Sequence, residues 1–97
     1  MMESKKLLTV GIKNSLPLEL TMLLWNLHQN KKDRDYLTVF KFKKENGILI
    51  AEHRQEEPEY SKEYEIKIDI EEPETIFIID DVIDKIKIST MMFASEY

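Results

Sequence analysis

Apolar and polar positions alternate along most of this chain, and one stretch breaks the alternation. Over residues 18–27, Leu20, Leu23, Leu24 and Leu27 recur at helical spacing, so at about 100° per residue they line one side of a helix. Leu18, Met22 and Trp25 fall on nearly the opposite side. Pro17 suits the first helical position because its missing amide hydrogen would go unsatisfied there, and its ring pushes Leu16 out of helical geometry. Glu19 in the first turn and Lys31 and Lys32 at the far end complement the helix dipole.

The remaining segments read as strands. The first candidate spans residues 7–12 and is interrupted by Gly11, where a bulge or a close approach of another backbone is the usual cause. Asn46-Gly47 predicts a two-residue hairpin turn, since both residues tolerate the positive φ that such a turn demands. With Glu45 opposite Ile48, Phe42 faces Ala51, Phe40 faces His53, and Lys41 faces Glu52 as a charge pair. Residues 64–71 alternate Tyr64, Ile66, Ile68 and Ile70 with Glu65, Lys67, Asp69 and Glu71, the pattern of a strand with one dry side. Residues 76–79 are apolar on both sides and predict a central strand covered twice. Residues 86–93 supply an edge strand.

The fold expected is α+β. One main helix packs across a curved, mainly antiparallel sheet of about five strands, in the order strand, helix, meander, within a single domain 1–97. The stripe Leu18, Met22 and Trp25 then needs a cover. Met91, Met92 and Phe93 are assigned that role, with a second subunit or a ligand as the alternatives.

Composition narrows the function. The 97 residues contain no cysteine, which excludes a disulfide framework, a thiolate nucleophile and a cysteine-type zinc site. No apolar run approaches membrane-spanning length, so a soluble cytoplasmic protein is expected, with no membrane partner. The net charge of −5 is uneven: residues 1–44 carry nine basic against four acidic residues, and residues 45–97 carry five against fifteen. Such halves pair across one folded unit. The alternative is a nucleic-acid binder whose basic face comprises Lys31, Lys32, Arg34, Lys41, Lys43 and Lys44. A decoy in which the acidic half imitates nucleic acid ranks below it.

Candidate chemistry is sparse. His53-Arg54-Gln55-Glu56-Glu57 is the densest polar run, and the hairpin register turns His53 toward the same face as Phe40 while Arg54 and Gln55 point to opposite faces. A single imidazole without a placed partner is better explained as a rim-of-core histidine than as a base. Asp80, Asp81 and Asp84 follow the central strand, where carboxylates can hold magnesium, and a metal-dependent hydrolase around Asp80 and Asp81 is a further alternative. Turn formation by short acidic side chains explains them more simply. The expectation is therefore no catalytic set, no bound metal and no cofactor, with His53, Arg54, Asp80 and Asp81 as the polar site to inspect.

Several blocks together resemble a known family. Leu16-Pro17-Leu18-Glu19-Leu20 running to Leu24-Trp25, Asp35-Tyr36-Leu37-Thr38-Val39-Phe40, His53-Arg54-Gln55-Glu56-Glu57-Pro58-Glu59-Tyr60, Ile79-Asp80-Asp81 and the terminal Ser89-Thr90-Met91-Met92-Phe93-Ala94-Ser95-Glu96-Tyr97 are similar to small proteins of Gram-positive bacteria and their prophages, catalogued as domain of unknown function 960. The resemblance implies a single α+β domain and intracellular residence, and it implies no activity. The function expected is a non-enzymatic protein-interaction or accessory module, of prophage origin, that recognises another protein or a second copy of itself. Its surface is the side of Leu18, Met22 and Trp25, or an exposed sheet edge.

Overall fold

The computed structural model describes residues 3–97. Strand β1 (Glu3–Leu8) leads into a short helix α1 (Val10–Ser15) and the main helix α2 (Leu18–Asn30). Five strands follow: β2 (Leu37–Glu45), β3 (Ile48–Gln55), β4 (Tyr60–Ile66), β5 (Ile76–Ile83) and β6 (Ile86–Phe93), with a final 3-10 turn, Ala94–Glu96. All six strands form one sheet in the order β1-β6-β5-β2-β3-β4. The expected α+β class holds, but the sheet has six strands and is mixed, because β1 pairs with β6 in parallel. β6 is consequently an inner strand, between β5 and β1, and not the edge expected of residues 86–93.

The helix and the first hairpin follow the sequence closely. Pro17 holds the N-cap position with extended ψ, one place earlier than expected, and α2 runs three residues beyond Leu27. Leu20 and Leu24 are fully buried, and Leu23 and Leu27 pack half-buried beside them. Across the Asn46-Gly47 turn the register is the expected one, from Glu45 opposite Ile48 to Phe40 opposite His53. Lys41 does lie opposite Glu52, yet no ion pair joins them. Glu52 instead approaches Arg54 Nε at 3.8 Å and accepts a hydrogen bond from Ser61 Oγ at 3.1 Å.

Three expectations fail. Residues 7–12 are not one strand: Thr9 accepts a hydrogen bond from the Ile12 amide at 3.4 Å and so caps α1, turning Val10 and Gly11 into helix. Gly11 lies inside that helix because the Glu96 carboxylate occupies the space a Cβ would need, with an oxygen 2.6 Å from its position. The strand expected over residues 64–71 is displaced to Tyr60–Ile66, and Ile68 and Ile70 pack against the core from irregular backbone. Met91, Met92 and Phe93 do not cover the second stripe of α2: Met91 and Phe93 are buried within the sheet's inner face, beneath the first stripe, and Met92 lies on the opposite face beside Phe77.

The core lies between α2 and one face of the sheet. Phe40, Ala51, Ile76, Ile78 and Met91 meet Leu20 and Leu24 there, joined by Ile12 from α1. The shortest molecular dimension is 22 Å, the thickness of two layers. The outer side chains of β5, expected to be covered, therefore have no third layer above them. Phe77 meets only the edge of the Tyr97 ring, with centroids 5.7 Å apart.

Candidate functional site

A cluster of hydrogen-bonded polar groups joins the last turn of α2 to β5 and β6. His28 continues the buried stripe of Leu20 and Leu24 at a spacing of four residues and is 1% exposed. Its Nε2 lies 3.0 Å from Asp80 Oδ2. Asp80 shares the inner face of β5 with Ile76 and Ile78, and Ser89 stands directly opposite it on β6 and donates its hydroxyl to Asp80 Oδ1. Arg34 closes the group from the loop after α2: one guanidinium nitrogen donates to the His28 carbonyl at 3.3 Å, and Nε lies 3.8 Å from Asp80 Oδ2. The same guanidinium nitrogen stands 3.5 Å from His28 Nδ1, which fits the tautomer with the proton on Nε2, donating to Asp80. Burial pushes the Asp80 carboxyl upward. Hydrogen bonds from His28 and Ser89, followed by the attraction of His28 and Arg34, outweigh that and hold it below the usual aspartate range.

This arrangement is a clamp rather than a relay. The serine hydroxyl is directed at the carboxylate and not at the imidazole, so no base is placed to activate it. Its evident consequence is mechanical, tying the end of α2 to two strands. A hollow of about 290 Å³ lies beside it, lined by Asp80, Asp81, Val82, Lys87 and Ser89.

His53 is on the inner face, as the hairpin register requires, but it is deeper than the rim. It is 1% exposed, stacked on Phe40 with centroids 4.7 Å apart and met by the edge of Tyr60 at 5.2 Å, and neither ring nitrogen has a hydrogen-bond partner. Burial, reinforced by the charges of His28 and Lys31, pushes its pKa down to about 4. It works as a neutral aromatic spacer. Gln55, two residues on, is also buried and ties the loops together: its Nε2 donates to the carbonyls of Asp33 at 2.6 Å and Pro58 at 2.8 Å.

The four expected polar residues do not form one site. Arg54 and Asp81 project from the opposite face to His53 and Asp80, as strand alternation dictates, and Asp81 accepts from its neighbour's amide, Val82, at 2.8 Å. Asp84 is a turn residue: with Lys85 it adopts positive φ, 51° and 66°, in the β5–β6 hairpin. Among the described residues no three histidines or carboxylates are placed to hold a metal ion. The basic residues are also dispersed. Arg34 is engaged with Asp80, Lys31 lies over the Tyr60 ring at 4.7 Å, and Lys43 pairs with Glu45 at 3.1 Å and Glu63 at 3.2 Å. His28, Arg34 and Ser89 were not expected as partners of Asp80. The spacing of His28 from Leu20 and Leu24 is the signal that could have placed it on the buried stripe.

The second stripe of α2 is uncovered. Leu18 is 70% and Met22 57% exposed, while the Trp25 ring folds back, half-buried, to meet His28 edge-on with centroids 6.0 Å apart. No helix among the described residues is long and apolar enough to cross a membrane.

The sequence profile of the family described as "Staphylococcal protein of unknown function (DUF960)" matches residues 5–96. The chain belongs to this family. The DUF960 fold is similar to that of a protein of unknown function from Enterococcus faecalis, whose crystal structure aligns with a TM-score of 0.81 at 19% identity, covering 96% of this chain and 90% of that one. At that identity the likeness speaks for the fold alone. No curated protein matches this DUF960 sequence.

Proposed function

We propose that this protein is a non-catalytic interaction module of the cytoplasm, an accessory factor that presents the outer stripe of α2 to a groove on another protein. The observation that carries this is the exposure of Leu18 and Met22 on a helix already anchored from behind. Leu18, Met22 and Trp25 follow the i, i+4, i+7 spacing by which a helix docks in an apolar groove. Trp25 marks the inner end of the stripe, and its indole is the residue type that most often dominates such contacts. The His28 clamp supports the same reading, since it spends the buried polar groups on holding this helix in place. The sheet edges are less suited. β1 carries Lys5 and Lys6, and β4 carries Lys62 between Tyr60 and Tyr64, the kind of charge that discourages strand addition.

A photo-crosslinking residue placed at Met22, and in a separate variant at Glu19 on the neighbouring helix side, tests this in bacterial cells. One discrete adduct from position 22, absent from position 19 and lost when Leu18→Glu is added, is the result expected. Equal adducts from both positions, or none from either, would overturn the proposal.

A further inference from the structure

The side of the sheet turned away from α2 carries an ordered pattern of its own, separate from the helix stripe. Across the strands, Val39 pairs with Phe77 and Phe77 with Met92, and in the next row Leu37 pairs with Ile79 and Ile79 with Thr90. These two rows form an apolar strip, met at Phe77 by the Tyr97 ring and otherwise without a further layer above it among the described residues. Its ends are charged in opposite senses. Lys41 lies one step beyond Val39, with no carboxylate within 4 Å among the described residues, and Asp81 lies one step beyond Ile79. A cavity of about 380 Å³ runs along β2 beside the strip, from Lys41 past Val39 and Leu37 to Asp35, with Arg54 and Phe77 on its flanks.

We infer that this face is the contact between two copies of the chain, stacked sheet on sheet. A two-fold axis lying in the interface, across the strands and midway between the two rows, sets Val39 and Phe77 of one copy over Leu37 and Ile79 of the other. The same operation carries Lys41 to the Asp81 end of the second copy, over the β2 position of Asp35 and one strand to the side of Asp81, and it does so twice. A two-fold axis along the strands would instead set Lys41 against Lys41, so the charges choose the orientation. Two sheets packed in this way sit about 10 Å apart, within reach of a lysine and an aspartate. With β3 included, whose Arg54 and Glu52 flank the rows on the same side, four strands about 4.8 Å apart and six residues at about 3.4 Å each give a face of roughly 19 by 20 Å. With side-chain relief two such faces bury on the order of 1,000 Å², the lower bound for a specific interface and the size of weak, reversible contacts. The dimer leaves both α2 stripes on its outer surfaces, so the proposed function and this contact stand or fall separately.

Sedimentation equilibrium of the full chain from about 1 to 500 µM reads the contact directly. The wild type should pass from monomer to dimer across that range, and Phe77→Lys should remain monomeric with an unchanged circular-dichroism spectrum. Lys41→Glu and Asp81→Lys should each weaken the dimer about tenfold, and the two combined should bring it back to within threefold of the wild type, since each copy then meets the reversed pair. Leu18→Glu should leave the constant unchanged. A wild type that stays monomeric at the highest concentration, a dimer indifferent to Phe77→Lys, a double variant no better than the singles, or a dimer abolished by Leu18→Glu would each overturn the inference.

Discussion

His53 and Asp80 sit on the same face of the sheet, and their protonation acts on stability in the same direction. Between about pH 6.5, the ordinary histidine value, and about 4, its value in the fold, the unfolded chain takes up a proton at His53 that the folded chain refuses. Stability therefore falls as pH drops through that window, by about 3 kcal/mol for a shift of this size. Asp80, held below the aspartate range, adds a second loss at lower pH, when its carboxyl protonates and the bonds from His28 and Ser89 change. Urea titrations at pH 7.5 and 4.5 should show the decline, and His53→Phe, which keeps the stacking on Phe40 and removes two unpartnered nitrogens, should flatten it. An unaltered slope in that variant would assign the acid sensitivity elsewhere. The clamp itself is tested at pH 7.5. His28→Ala leaves a cavity and deprives the half-buried Asp80 of its best donor, so a loss of about 2–4 kcal/mol is expected, whereas exposed Asp81→Ala should stay within about 0.5 kcal/mol.

At the level of elements, what was legible in the sequence was whatever local chemistry decides. The Asn46-Gly47 hairpin could be placed to the residue because few dipeptides accept φ of 54° and 80° in succession. The second hairpin has the same geometry at Asp84-Lys85, but lysine at positive φ is strained by about 1–2 kcal/mol and gives no signal. Asp84 reads as a turn residue in preference to a metal ligand, but the hairpin it closes could not be placed. The two turns make opposite predictions. Lys85→Gly should stabilise the protein by about 0.5–1 kcal/mol, and Gly47→Ala should destabilise it by about 1 kcal/mol even though open space surrounds the new methyl. Thermal melts of the two variants decide this. Gly11 was misread for a different reason: what approaches it is the side chain of Glu96, a contact made 85 residues away that no local pattern encodes.

The placement of β1 is likewise a property of the whole molecule. Its six residues are all exposed, so their alternation carries little information, and the parallel pairing with β6 depends on α1 and α2 carrying the chain over to the start of β2. Of the parts of the candidate site that escaped the sequence, Ser89 depends on the β5–β6 register set by the Asp84-Lys85 turn, and Arg34 on the packing of the end of α2 beside β5. β1 buries little, and its contribution is better measured by what it prevents. Without it β6 would be an edge strand whose outward side chains include Ile86, Ile88 and Met92, a template for pairing with other chains. With it, the exposed edge carries Lys5 and Lys6 side by side, pointing to opposite faces of the sheet, so that an approaching strand meets a charge whichever face it aligns with. Replacing both with threonine should leave the melting temperature within about 3 °C, since substitutions at such exposed positions shift stability by only about 0.5 kcal/mol. The same double variant should scatter more light than the wild type on incubation at high concentration, and the excess should disappear when one lysine is restored. If the scattering is unchanged, the lysines are not what guards this edge, and the short length of β1 is left as its protection.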